Sequence, residues 1–232
     1  SNTAVGSGTM AAIMNGANYN VAIGKAALAA VTTGDSNVAV GKDALLAVLA
    51  GSTNSVVGRS AGAALTSGSG NTIMGQGAGL ATEDVDNTVI IGKDACVAVL
   101  TGGNGADGTV AIGKSALTAL TSGAGNTALG YQSLTANQAG SKNVAVGYQT
   151  LYTANDNDND GSVAVGYQAL YTLNGASGSV GDSSTVAVGF EAGKALSTGK
   201  YNTAIGHQAL VTEDTGRDNT AVGYRALQNT NN

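Results

Sequence analysis

The chain has 232 residues, of which 36 are glycine and none is proline, and its formal net charge is −5. Nucleic-acid binding needs a basic footprint that this composition does not supply, and no apolar run approaches the ~20 residues of a membrane span. With one histidine and one cysteine, neither a catalytic triad nor a zinc site is expected, and no internal disulfide can form.

One short phrase, a small aliphatic strand that ends in glycine, occurs thirteen times along the chain. Eight of the twelve intervals between successive closing glycines are 17 residues long. A fixed period of this kind is typical of a solenoid, in which each repeat packs on its neighbours. We therefore predict one repeat domain over residues 1–232, a mainly β protein forming a β-solenoid of about 13 rungs. The closing glycines are Gly6, Gly24, Gly41, Gly58, Gly75, Gly92, Gly113, Gly130, Gly147, Gly166, Gly189, Gly206 and Gly223.

Within each predicted strand, the residue before the closing glycine is aliphatic or Met, and the residue two before it is mostly Ala. The residue three before it is usually Val or Thr, and the residue four before it is Asn in nine repeats. Alternate strand residues share a face. We expect the aliphatic residues to fill the interior, with Ala and Asn on the other face. The stacked Asn residues predict an amide ladder, or they mark the turn that enters each strand.

A second segment follows each closing glycine, as in residues 114–120. Its apolar residues recur three, four and often seven places after the glycine, which favours a short helix, although an extended segment is the alternative. Gly62, Gly79 and Gly193 replace a Leu in this segment, which we interpret as a variant rung. Cys96 occupies the same Leu position and is expected to be a buried apolar residue.

The residue directly after each closing glycine changes character halfway along the chain. We call the residues at this position the corner column. In the N-terminal half the corner column is basic, and Asp43 and Asp94 follow two of its lysines. In the C-terminal half it is aromatic, and His207 reads as a surface substitution within it. Such a stripe can stack on sugars, pack against a partner chain or form a structural ladder within one fibre. The two halves are Lys25, Lys42, Arg59, Gln76, Lys93 and Lys114, then Tyr131, Tyr148, Tyr167, Phe190, His207 and Tyr224.

Three longer intervals predict loops inserted at residues 101–108, 154–161 and 173–184, where solenoids often bind ligands. In the second loop, Asp156, Asp158 and Asp160 alternate before a glycine. Alternating carboxylates can wrap Ca²⁺, although the closing Glu of an EF-hand loop is replaced by Tyr167. We keep weak Ca²⁺ binding as a hypothesis beside a plain hydrophilic loop. No other cofactor is expected.

The repeat phrase resembles known surface proteins. Residues 162–166 and 109–113, with their Val-Ala-Val-Gly and Val-Ala-Ile-Gly endings, resemble the head repeats of trimeric autotransporter adhesins of the YadA type. Residues 165–170, Val-Gly-Tyr-Gln-Ala-Leu, are similar to repeats of phage tail fibres. The resemblance covers nearly the whole chain. It implies a β-solenoid that often stands as three chains side by side and is exposed on a cell or virion.

These observations predict a non-catalytic, extracellular structural fibre, or an adhesin or tail-fibre segment. The chain begins and ends in repeat sequence without a recognisable cap, which predicts head-to-tail stacking into a filament or a chain cut from a longer array. The homotrimer, alone or together with such stacking, is what the resemblance implies. The alternative is a module that recognises a surface glycan or host receptor through the aromatic stripe and the inserted loops. An ice-binding role is disfavoured because Val interrupts the Thr column at residues 21, 38, 89, 110, 144, 163 and 186.

Overall fold

The computed structural model is a β-solenoid with one short strand per repeat, as predicted. It describes residues 1–98, 105–154, 160–174 and 184–229. All thirteen strands form one parallel sheet in which each strand pairs with the next along the chain, so the rod is about 60 Å long. The strands are β1 Thr3–Val5, β2 Val21–Ile23, β3 Val38–Val40, β4 Ser55–Val57, β5 Thr72–Met74, β6 Val89–Ile91, β7 Val110–Ile112, β8 Thr127–Leu129, β9 Val144–Val146, β10 Val163–Val165, β11 Val186–Val188, β12 Thr203–Ile205 and β13 Thr220–Val222.

The register places each residue of a rung beside its own counterpart in the next rung. Ala22 pairs with Ala39, and Ala164 pairs with Ala187 although 23 residues separate them. The strand register is therefore kept across the longer intervals, and the columns stay aligned. Every repeated residue type consequently forms a continuous column along the rod.

The segment after each closing glycine is a series of turns, and the described residues contain no α-helix, so the helical prediction was wrong. Its second and fourth residues adopt left-handed backbone conformations, as at Ala26 (φ 55°) and Leu28 (φ 50°). These conformations are costly for residues with a Cβ. Hydrogen bonds between rungs offset that cost, for example from the Leu28 N–H to the Ala44 carbonyl at 3.0 Å.

The interior of the solenoid is lined by the small residues of the strands. The middle residue of each strand from β2 to β13, mostly Ala, is buried, as are most residues of the Asn column. The aliphatic residues before the glycines point outwards: Ile23 is 42% exposed and Leu129 43%. The two predicted faces are therefore correct, but the assignment of the aliphatic face to the interior was wrong. Leucines from the turn segment, such as Leu45 and Leu117, supply the larger buried side chains.

Two of the three variant rungs, those of Gly62 and Gly79, show how tightly the narrow interior is filled. Gly62 and Gly79 keep the left-handed conformation of the Leu that they replace. A Cβ at Gly62 would lie 3.2 Å from both Ile73 and Leu45, because Val56, Ile73 and Ile90 stand where other strands have Ala. A larger strand residue thus compensates for a smaller turn residue, as expected where packing density is fixed.

The predicted amide ladder is present inside the rod. Asn54 Nδ2 donates to Asn37 Oδ1 at 3.0 Å and to the Gly68 carbonyl at 2.9 Å, and Asn54 Oδ1 accepts from the backbone and side chain of Asn71. The ladder is less complete in the C-terminal half. Among the described residues, Asn143 Nδ2 is buried without a hydrogen-bond partner.

The closing glycines are a steric requirement of the stack. All thirteen have φ between 126° and 144°, a region that residues with side chains rarely occupy. At Gly130, a Cβ would lie only 2.1 Å from the carbonyl oxygen of Gly147 in the next rung. The other eleven glycines that have a following rung are similarly crowded, at 2.3–2.7 Å.

Candidate interaction surface

The most extensive candidate surface is the outer face of the sheet. The first and third residues of every strand point to this face, and the third residues form an aliphatic column along the rod, with Val5, Val57, Ile205 and Val222 exposed. The first residues are Val in seven strands and Thr or Ser in six, so threonine is interrupted here, as the sequence indicates. An aliphatic column and a mixed column of Val, Thr and Ser therefore run side by side over the thirteen strands of the described residues.

Two lysines in the basic part of the corner column lie beside the carboxylates that follow them in sequence. Lys42 Nζ lies 3.2 Å from Asp43 Oδ2, and Lys93 Nζ lies 3.8 Å from Asp94 Oδ2. The lysine side chains are more than half exposed. Water screens such pairs, which contribute little stability. Stacked cations would otherwise repel one another at every rung.

The aromatic part of the corner column forms a continuous ring stack. From Tyr131 through Phe190 to His207, neighbouring ring centroids lie 5.0–5.3 Å apart with interplanar angles of 9–14°. Tyr224 is tilted by 36° on His207. The ammonium of Lys114 lies 5.7 Å from the Tyr131 ring centre, where the basic and aromatic halves meet. The predicted stripe is thus one stack of six rings.

The stacking determines which parts of the rings a ligand can reach. Both faces of each inner ring are covered by the adjacent rings, and the Arg225 guanidinium lies 5.1 Å from the Tyr224 ring centre. Sugars usually stack on open aromatic faces, and here those faces are occupied. Ring edges and phenol hydroxyls remain at the surface, since Tyr148 and Tyr167 are still 43% and 41% exposed.

A column of amides beside the ring stack was missed at the sequence level. Gln149 Nε2 donates to Gln132 Oε1, and Gln168 Nε2 donates to Gln149 Oε1, both at 2.9 Å. The repeated Tyr-Gln pair after Gly130, Gly147 and Gly166 is the signal that could have revealed it. Three residues after Gln149 and Gln168 in the same turn segments, Tyr152 and Tyr171 form a separate stacked pair with ring centroids 5.1 Å apart.

The amide column becomes charged beyond Gln168. Lys194 Nζ lies 2.6 Å from Glu191 Oε1, and Gln208 Nε2 donates to Glu191 Oε2 at 2.9 Å. Hydrogen bonds from Lys194 and Gln208 hold the pKa of the Glu191 carboxyl below its usual value. This carboxylate therefore remains charged within the column, and only the part from Gln132 to Gln168 is neutral.

The hypothetical Ca²⁺ site is only partly within the described residues. Asp156 and Asp158 lie outside them, as do residues 101–104 and 175–183 of the other inserted loops. Asp160 Oδ1 accepts a hydrogen bond from the Ser141 N–H at 2.5 Å, as Asp35 does from the Asn18 N–H at 2.6 Å. Asp160 thus has a structural partner in the neighbouring rung. The described part of the chain holds no group of three or more metal-ligating side chains.

The two most reactive side-chain types in the chain, the thiol of Cys96 and the imidazole of His207, both occupy structural positions. Cys96 is buried, as predicted, and burial raises the pKa of its thiol to about 12. Such a thiol carries almost no nucleophilic thiolate at neutral pH. His207 lies in the ring stack between Phe190 and Tyr224. Over the described ranges, no helix is long and apolar enough to cross a membrane.

Comparison with known proteins identified no relative of the chain. No protein-family model matches the chain. No similar protein was found among curated proteins or among solved structures. The solenoid fold is therefore supported by the geometry of the structure, and the predicted resemblance to adhesin and tail-fibre repeats rests on the repeat phrase alone.

Proposed function

We propose that the chain is a non-catalytic segment of an extracellular structural fibre and that it assembles with copies of itself. The observation that carries this proposal is the apolar outer face of the sheet, which is half exposed along all thirteen strands. A regular apolar face of this length favours burial in an assembly. The resemblance to adhesin and tail-fibre repeats supports a location on a cell or virion.

The size of the outer face suits lateral association. Its two columns are about 7 Å apart, and their side chains broaden the strip to roughly 13 Å. Over a rod of about 60 Å, the strip offers about 800 Å² per chain, which is what one partner contributes to a stable interface. We therefore propose that rods pack side by side through this face, as two chains or as the three that the resemblance implies.

The two edge strands suit association along the rod axis. Strands β1 and β13 both read Thr-Ala-Val and follow an Asn. Within the rod, the Asn219 N–H donates to Asn202 Oδ1 at 3.0 Å, and the Asn20 N–H donates to Asn2 Oδ1 at 2.9 Å. A copy seated on β13 would bring the Asn2 N–H to Asn219 Oδ1 in the same register. Main-chain pairing of exposed strand edges is a common route to such assembly.

Electron microscopy combined with light scattering tests both contacts. We expect the chain to form rods that are longer or thicker than one molecule. Changing Val146 and Val165 to Lys on the outer face should separate laterally packed rods without unfolding them. Changing Ala4 to Arg at the β1 edge should stop elongation and leave lateral packing intact.

A matched control carries the same added charge on exposed turns, in Thr33→Lys with Ala50→Lys, and should assemble normally. Circular dichroism verifies that each variant keeps its sheet. A chain that stays monomeric at every concentration, or variants that assemble as the unchanged chain does, would refute the proposal.

A second candidate function is recognition of a surface glycan. It is favoured by one observation, namely the neutral stretch in which the ring stack and the amide column run in parallel from Tyr131 to Gln168.

A further inference from the structure

The ring-and-amide stripe, defined here as Tyr131, Tyr148 and Tyr167 with Gln132, Gln149 and Gln168, has the regularity of a polymer. Its ring centroids are 5.2 and 5.3 Å apart, and its amides are bonded to one another at the same pitch. Six polar side chains thus form two parallel rows along the rod axis. A ligand that repeats at this pitch would meet the same groups at every step.

The stripe retains unused hydrogen-bonding capacity. Gln149 and Gln168 each use one Nε2 hydrogen within the column, Gln132 only accepts there, and an amide nitrogen carries two hydrogens. Within the described residues, no hydrogen bond is made by the phenol hydroxyls of Tyr131, Tyr148 and Tyr167, whose side chains are 37–43% exposed. The stripe therefore presents amide and phenol groups that keep hydrogen-bonding capacity within the part of the chain that the structure describes.

The pitch and the charge of the stripe select among linear polymers. An extended peptide advances about 3.3 Å per residue, and a nucleic-acid strand about 3.4 Å per nucleotide, so neither matches the rings. The stripe itself is neutral and the whole chain carries −5, which disfavours polyanions. A β-1,4-linked polysaccharide links each pyranose through opposite ends of its ring, so its extended form advances close to one rung per sugar.

We propose that the ring-and-amide stripe binds an uncharged β-1,4-linked polysaccharide that lies parallel to the rod axis, with one sugar per rung. Sugar hydroxyls pair with the phenol hydroxyls and the free amide groups, and the sugar rings rest against aromatic edges. The contact is along the edges of the stack, because the ring faces are occupied. This binding rests on the second candidate function, which it narrows to one class of glycan, and it does not require assembly of the rods.

Calorimetry with soluble oligosaccharides tests the proposal. Cellohexaose or chitohexaose should bind at least about tenfold more tightly than maltohexaose, an α-1,4 hexamer that curls away from the axis. Affinity should also rise from the trimer to the hexamer as more rungs are engaged. Equal affinity for the α- and β-linked hexamers, or no binding of either β-linked hexamer, would overturn the proposal.

Paired variants identify the surface. Tyr148→Phe with Tyr167→Phe keeps the stacked rings but removes two hydroxyls, and affinity should fall about tenfold. Tyr152→Phe with Tyr171→Phe makes the same change in the separate stacked pair and should leave affinity unchanged. An equal loss in both double variants would refute the assignment. Micrographs of both variants should show unaltered rods, which separates failure of this proposal from failure of the fibre role.

Discussion

The rungs that close at Gly24 to Gly113 and those that close at Gly130 to Gly223 have the same kind of interior but present different corner columns to solvent. Both halves have small residues at the strand centre, a buried polar column and crowded closing glycines. The first half places Lys or Arg after most of these glycines, and the second half places aromatic rings. Interior positions are constrained by packing in the same way in every rung. The corner position is not, so the two halves could diverge there without altering the fold.

Stacking makes each surface residue the neighbour of its own counterpart, and this affects the two halves in opposite ways. Repeated cations repel, so the basic half includes Gln76 and pairs two of its lysines with Asp43 and Asp94. Repeated rings attract, and they form an uninterrupted stack from Tyr131 to Tyr224. A solenoid column therefore favours residue types that can lie next to identical residues without repulsion.

The largest effect should be common to both halves, since it arises from the glycine column. Gly58→Ala and Gly130→Ala would each place a Cβ 2.1–2.4 Å from a carbonyl oxygen of the next rung. Together with the strained backbone, each should cost about 3 kcal/mol or more in urea unfolding. Gly223→Ala, with φ 126° but no atom within 4 Å of the added Cβ, should cost clearly less. An equal cost at Gly223 would show that the clash is not the cause.

The amide ladder should distinguish the halves. Asn54→Ala removes a residue with four ladder bonds and leaves the Gly68 carbonyl and the Asn71 N–H buried without partners, so a loss of about 3 kcal/mol is expected. Asn143→Ala removes a residue whose Nδ2 is already unsatisfied and should cost about 1 kcal/mol. Unfolding monitored by circular dichroism gives both values. Similar losses would mean that the ladder is equally strong along the rod.

The smallest expected effect is a gain in stability when basic residues of the corner column are replaced by the aromatic residues found in its other half. Lys42→Tyr with Arg59→Tyr places two rings on adjacent rungs and should stabilise the chain by about 1 kcal/mol through a new stacked pair. Lys25→Tyr with Lys93→Tyr adds the same number of rings on rungs that are not neighbours. Thermal unfolding of this control should show no comparable gain. Equal stabilisation by both double variants would attribute the effect to removal of positive charge.

Much of the fold could be predicted because the glycine period fixes the strands and their order. The turn segment could not, because alternating left-handed residues direct side chains inwards three, four and seven places after the glycine, which imitates a helical pattern. The known sequence periods describe helices and strands, and this path is neither.

The inward face was mistaken because hydrophobicity usually ranks Val and Ile above Ala for burial. In the interior of a narrow rod, the size of a side chain determines whether it can be buried. One signal was available: rungs with Val56, Ile73 or Ile90 at the strand centre carry Gly62, Gly79 or Cys96 in the turn. This inverse size relation indicates that the two columns share one space. The ring stack could be predicted from the glycine period alone. The amide column could have been predicted only by aligning the Tyr-Gln pairs of successive repeats.

The aligned columns have a consequence for how the gene can change. Removing residues 114–130 would join Gly113 to Tyr131, delete one 17-residue repeat and set Ala111 beside Ala145 with every column still aligned. Recombination between repeats therefore alters the length of the rod in whole steps and demands no new packing. A lineage could tune the reach of such a rod by copy number while its surface chemistry evolves separately.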